Sequence, residues 1–165
     1  MNVLRIISRL SFLSAKRRVE WYPPFFFMRV KVIELQEDWS RVSIRLPLNG
    51  VSKNMGDAMF GGYQASLADP VAALACVKRF PGYSVWTRAM SIDFVREGNS
   101  DLELRFEFDD NLYQTIKKEL EQTGRSTPTF KYALYRSDGE ICSKVINTVA
   151  IRPANYKSTK VKNKR

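Results

Sequence analysis

The chain has 165 residues, 44% of them hydrophobic and 27% charged, which fits one globular domain with a sizeable core. Its formal net charge of +10 comes from the two ends: residues 1–18 and 156–165 carry ten basic residues and no acid, leaving 17 basic residues against 17 acidic ones between them. A neutral body speaks against nucleic-acid binding, and the absence of any histidine excludes Ser–His and Cys–His catalysis, histidine-ligated metals and histidine-based hydration chemistry.

Leu4, Ile7, Leu10, Phe12 and Leu13, spaced by Arg5, Arg9 and Lys16, make residues 1–19 a basic amphipathic segment. Packing of that segment on the domain or on a partner is the favoured reading, since Glu20-Trp-Tyr-Pro-Pro-Phe-Phe-Phe follows with apolar surface to offer. Weak membrane-surface contact through residues 1–18 is the rival. The domain itself is expected over 20–153, with 154–165 a basic, disordered tail. Met28–Gln36 and Arg41–Leu48 read as two strands joined at Glu37-Asp-Trp-Ser. From about Ala58 to Phe80 an almost uniformly apolar pattern predicts a buried helix, closed by Lys78, Arg79 and Pro81-Gly82. Ser84–Arg96 is a long β-prone run. Leu102, Leu104, Phe106 and Phe108 alternate with polar residues as a strand wet on one face. Asp110–Gln122 is a short polar helix, and Thr127–Arg136 and Glu140–Arg152 form a hairpin across Ser137-Asp-Gly. The order predicts an α+β fold: an antiparallel sheet wrapped around one long helix, with a short helical insertion before the last two strands.

Asp69 is the one charged residue between Ala58 and Val77. It follows a glycine pair, Gly61-Gly62, at the opening of the helix. A helix N-terminus offers unpaired N–H groups and a positive dipole end, suited to a carbonyl oxygen or an anion, and a carboxylate two turns on can serve as a base. On a helical wheel Gly62, Ser66, Asp69, Ala73 and Cys76 share a side of small residues. Each feature also has a plain structural reading. Asp69 before Pro70 is an N-cap pattern that can restart a kinked helix; the glycines can serve close packing; Asn54 can shape a loop; Thr87 can be an ordinary strand residue; Cys76 and Cys142 read as buried thiols in a reducing, cytoplasmic protein.

The segment Asn54…Phe60-Gly-Gly…Leu67-Ala-Asp69-Pro70, after Tyr22-Pro-Pro and before Val85-Trp86…Ile92-Asp-Phe94, resembles the hotdog-fold superfamily. The nearest branch is the PaaI-like acyl-CoA thioesterases, with a related domain family whose members mostly lack an assigned function. The resemblance runs from about Tyr22 to Arg152. It implies a backbone N–H of Gly61 or Gly62 on the thioester carbonyl, Asp69 as base or nucleophile, Asn54 holding nucleophile or substrate, and Thr87 as a supporting hydroxyl. Phe60, where many relatives carry histidine, would border the substrate, with Ser66. It further implies a site completed across a subunit interface, and so a homodimer or a tetramer of dimers, with an acyl-CoA-type substrate and no metal or cofactor. A non-catalytic protein that binds an acyl thioester or a protein partner is the alternative.

Overall fold

The computed structural model of the chain describes residues 14–156. Six strands form a single antiparallel sheet: β1 (Lys31–Leu35), β2 (Arg41–Leu46), β3 (Tyr83–Phe94), β4 (Leu102–Glu107), β5 (Thr129–Arg136) and β6 (Ile141–Pro153), in spatial order β1-β2-β4-β5-β6-β3. Two short helices, α1 (Ala15–Glu20) and α2 (Pro23–Phe27), precede β1; α3 (Gly61–Arg79) is the long helix and α4 (Asp110–Thr123) the polar one. This is the hotdog fold, an α+β architecture in which the sheet wraps α3.

Alternation does the sorting. Along β2 and β4, Val42, Ile44, Leu46, Leu102, Leu104 and Phe106 turn inward and are almost fully buried, while Arg41, Arg45, Arg105 and Glu107 face water. Onto this face α3 lays Leu67, Ala68, Val71, Ala72 and Ala75, all with no exposed surface. Alanines at the contact let helix and sheet approach closely. The helix is not wrapped all round within one chain, because Ser66, Asp69, Val77 and Lys78 remain exposed.

Helix α3 opens at Gly61 rather than near Ala58. Met59 is already engaged in an isolated bridge with Lys53, and its N–H donates to the Gly98 carbonyl at 2.8 Å. Tyr22-Pro-Pro is also more than apolar covering: prolines in the first turn of α2 fit a helix start, where no N–H bond is lost. The other caps follow their sequence signals. The Asp109 side chain accepts from Leu112 N–H at 2.7 Å, Gly124 closes α4 in the left-handed region at φ 68°, and Gly139 makes the β5–β6 turn at φ 85°.

The two sheet edges differ. Along β1, the Lys16 ammonium donates to Ile33 O at 2.6 Å and Glu20 Oε1 accepts from Val32 N–H at 3.0 Å, so α1 covers that edge. Strand β3, 12 residues long, forms the other edge: it pairs with β6 on one side and has no strand on its outer side among the described residues. No described helix is long and apolar enough to cross a membrane. Residues 1–13 and 157–165, which include most of the basic amphipathic segment and of the tail, lie outside the described residues.

Candidate functional site

The loop ahead of α3 is pinned on both sides. Phe60 N–H donates to Ser52 O at 2.8 Å, and Asn54 N–H donates to Ala58 O at 2.8 Å. The Asn54 side-chain oxygen accepts from Gly56 N–H at 2.8 Å and from Ala58 N–H at 3.2 Å, so that oxygen is spent on its own turn. Phe60 is the N-cap residue and has no side-chain capping bond. Its carbonyl accepts from Tyr63 N–H at 3.0 Å, while the N–H groups of Gly61 and Gly62 have no acceptor among the described residues. Two donors at the positive end of a 19-residue helix therefore stand open.

Aromatic rings crowd both glycines. A Cβ on Gly61 would meet Phe94 Cζ at 3.0 Å, and one on Gly62 would lie 2.3 Å from Phe60 Cε1. The Phe60 ring folds back over the first turn, 52% exposed and edge-on to Tyr63 at 6.0 Å. Beneath, the buried Gln64 ties that turn to β6: its Oε1 accepts from Ser143 Oγ at 2.5 Å, and its Nε2 donates to Met59 O at 3.4 Å.

Two turns on, α3 passes through Pro70 without restarting, so Asp69 caps no helix. Its carboxylate is exposed and makes no ion pair or hydrogen bond among the described residues. The main chain of Asp69 and of Ala68 before it, by contrast, is held from behind by three strands. Thr87 Oγ1 on β3 donates to Asp69 O at 3.0 Å, and Asn147 Nδ2 on β6 donates to the same oxygen at 2.9 Å. Asn147 Nδ2 also donates to Tyr132 Oη at 3.0 Å, and that hydroxyl on β5 donates to Ala68 O at 2.7 Å. Pro70 has no N–H to give the Ser66 carbonyl, so the helix ladder lacks that one bond; the outside donors reach different carbonyls, those of Ala68 and Asp69. Burial pushes the Tyr132 phenol far above its ordinary value, the bond from Asn147 opposes this, and the nearby Asp69 charge adds to the rise. Tyr132 is thus a neutral donor at any working pH.

The structure brings Thr87 to Asp69 and places Ser66 one turn ahead of it, also exposed. Cys76 departs from the expected small-residue side: it is fully buried, and desolvation pushes its thiol up to about 12 despite the nearby Arg79. Lys53 and Arg96 are engaged with Asp57 and Glu140, each at 3.0 Å, whereas Arg88, at the bulge of β3, has no carboxylate partner among the described residues. Among those residues there is also no acidic or cysteine cluster that would hold a metal ion. Sequence reasoning missed Gln64, Tyr132, Ser143 and Asn147. The available signal was register: Ser143 and Asn147 occupy the inward positions that Val145, Val149 and Ile151 fill with aliphatic side chains.

Fold and site together define a hotdog protein with an open helix N-terminus and one exposed carboxylate beyond it. A family profile described as "Domain of unknown function (DUF4442)" matches residues 13–151, and the chain belongs to that family. No curated protein matches it. Among solved structures, one similar chain is a Pseudomonas aeruginosa protein of unknown function named as a thioesterase candidate: 18% identical, TM-score 0.75, covering 84% of this chain and 93% of that one. The Escherichia coli PaaI protein of the phenylacetic acid degradation operon is 16% identical at TM-score 0.60, covering 82% and 88%. A hypothetical thioesterase of Streptococcus pneumoniae, crystallised with coenzyme A, is 17% identical at TM-score 0.57, covering 75% and 86%. At such identities the likeness establishes the fold.

Proposed function

We propose that the protein hydrolyses an acyl thioester of coenzyme A or a related pantetheine carrier. The observation that carries this reading is the pair of open N–H groups at Gly61 and Gly62 on the same helix as an exposed, unpaired Asp69 whose backbone is clamped to the sheet. The open donors suit the oxyanion that forms when a thioester carbonyl is attacked. Seven or eight residues separate these donors from Asp69, roughly 10–12 Å along α3, so the acid that serves one chain's donors comes from the second copy in a dimer. That Asp69 removes a proton from water as it adds to the carbonyl carbon; the tetrahedral intermediate collapses, the C–S bond breaks, and the departing thiolate takes up a proton. The other route is direct attack by that carboxylate, which expels the thiolate and leaves a mixed anhydride that water then hydrolyses to the free acid and Asp69. Thr87 and Ser66 flank the acid, and Asn54 contributes through its loop. The thioesterase candidate of Pseudomonas aeruginosa and the hypothetical thioesterase of Streptococcus pneumoniae crystallised with coenzyme A, both similar in fold, support the substrate class.

The unpaired β3 edge supports a homodimer in which a second β3 continues the sheet and the partner covers Phe94 and the exposed side of α3. Two unpaired, buried thiols fit a reducing, cytoplasmic setting. One observation favours the non-catalytic alternative: the Phe60 ring lies over Gly62, on the approach to the open donors. Release of free thiol from short, medium, long and aromatic acyl-CoAs, alongside equilibrium binding of a non-hydrolysable thioether analogue, decides between them. Saturable release supports the hydrolase, and tight analogue binding without release from any member supports the binder.

A further inference from the structure

Of the three consecutive phenylalanines in α2, only Phe25 enters the core, at 1% exposure. Phe26 and Phe27 are 58% and 74% exposed, their rings edge to face at 5.9 Å, and Trp21 before them is 46% exposed. These three rings border one shallow depression of about 590 Å³ together with Arg17, Arg29 and Lys31. Nothing in the packing of the domain requires large aromatics there, and a contiguous apolar patch of this kind marks a surface meant to be covered.

The charges beside it identify the cover. From Ser14 to Lys31 the chain carries Lys16, Arg17, Arg18, Arg29 and Lys31 against the single acid Glu20. Glu20 is turned inward, its Oε1 accepting from Val32 N–H at 3.0 Å and its side chain only 15% exposed. Lys16 is spent on Ile33 O and Lys31 lies 4.0 Å from Glu20 Oε2, but Arg17, Arg18 and Arg29 have no carboxylate partner among the described residues. Arg29 takes the left-handed position, φ 56°, that closes α2: its N–H donates to Phe26 O at 3.0 Å and Val30 N–H donates to Phe25 O at 3.2 Å. Tryptophan and phenylalanine rimmed by cations match a membrane–water interface: the rings enter the headgroup boundary and the cations meet anionic lipid. In sequence the patch directly continues the segment of Leu4, Ile7, Leu10 and Phe12 with Arg5 and Arg9, which has the same character.

We infer that Trp21, Phe26 and Phe27, with Arg17, Arg29 and Lys31, form a docking surface for an anionic lipid bilayer. The surface lies on α1, α2 and the start of β1, includes none of the candidate site residues, and its use does not depend on hydrolysis.

The test is co-sedimentation of the full chain with vesicles of phosphatidylcholine alone and of phosphatidylcholine mixed with phosphatidylglycerol. Expected is binding to the mixed vesicles only, weakened at least tenfold by molar salt, since screening removes contacts between exposed charges. Trp21→Ala with Phe26→Ser and Phe27→Ser should lower the partition coefficient at least tenfold with unchanged thermal midpoint, because these side chains support no core. Arg17→Gln with Lys31→Gln, which leaves the rings in place, should weaken binding and flatten its salt dependence. Equal binding to both vesicles, no binding of the wild type, or an aromatic variant that binds as the wild type does would each overturn the inference. So would aromatic substitutions that split an oligomer in light scattering without changing lipid binding, which would make the patch a contact between copies.

Discussion

Replacing Asn147 by leucine is expected to leave stability nearly unchanged, although it removes a fully buried side chain with two hydrogen bonds. Asn147 Nδ2 donates to Asp69 O at 2.9 Å and to Tyr132 Oη at 3.0 Å, while its Oδ1 is buried with no partner. Two neutral hydrogen bonds are worth about 1 kcal/mol each, net of solvation, and an unsatisfied buried acceptor costs about 1–3 kcal/mol. Leucine forfeits the first and relieves the second. Asp69 O keeps its bond from Thr87, and Ala68 O keeps its bond from Tyr132. The change should therefore fall within about 1.5 kcal/mol of zero, overpacking by the larger methyls included. Tyr132→Phe relieves nothing: it deletes the bond to Ala68 O and one of the two Asn147 donations, and should cost about 1–2 kcal/mol. Urea unfolding of both variants, compared at equal m-values, gives the order. If Asn147→Leu is destabilised by more than about 3 kcal/mol, or more than Tyr132→Phe, then Oδ1 is not an uncompensated acceptor and the reasoning fails.

Three further outcomes follow from local geometry. Gly98→Ala should destabilise by about 2 kcal/mol in the same denaturation assay, because its Cβ would lie 2.7 Å from Met59 Cβ and 3.2 Å from Leu102 Cδ1, with no open side to move into. Native protein at pH 8 should not react with a disulfide reagent until denaturant is added, since desolvation pushes the Cys76 thiol up to about 12 and also raises Cys142; rapid titration of a thiol in the native state would contradict this. Bonds from Arg105 and Ser43 hold the Glu103 carboxyl below its ordinary value despite partial burial. A depressed folded-state value adds stability above the unfolded value and loses it as pH falls through the folded one. Glu103→Gln should thus be less stable at neutral pH by about 0.5–1 kcal/mol, the gap closing below about pH 4.

Much of the architecture was legible because it is written in local periodicity. The alternation of Leu102, Leu104 and Phe106, the Ser137-Asp-Gly turn, and the apolar run closed by Lys78, Arg79 and Pro81-Gly82 each depend on neighbours in the chain. Non-local partners blurred the rest. Ala58 and Met59 look helical but are taken by Asn54, Lys53 and Gly98. Tyr22-Pro-Pro reads only as apolar surface, and its prolines in addition open a short helix.

At the candidate site, the glycine pair and Asp69 stood out by composition alone, as the one break in an apolar stretch. Thr87 came from the resemblance, and the structure adds its bond to Asp69 O. Asn147 and Tyr132 could not be foreseen in that role, because what they bind is a main-chain carbonyl on an element far away in sequence. The wheel placed Cys76 with Asp69, but the sheet closes over the end of that side and buries the thiol.

The most direct test of the proposed reaction is the ratio of kcat/KM for wild type and Asp69→Asn on whichever acyl-CoA the wild type turns over fastest. Asparagine keeps the size of the side chain at an exposed position, so the fold should not change. Loss of a general base predicts a fall of about 100- to 10,000-fold in kcat with KM little altered. A variant that hydrolyses the substrate as fast as the wild type would remove Asp69 from the chemistry and contradict the account.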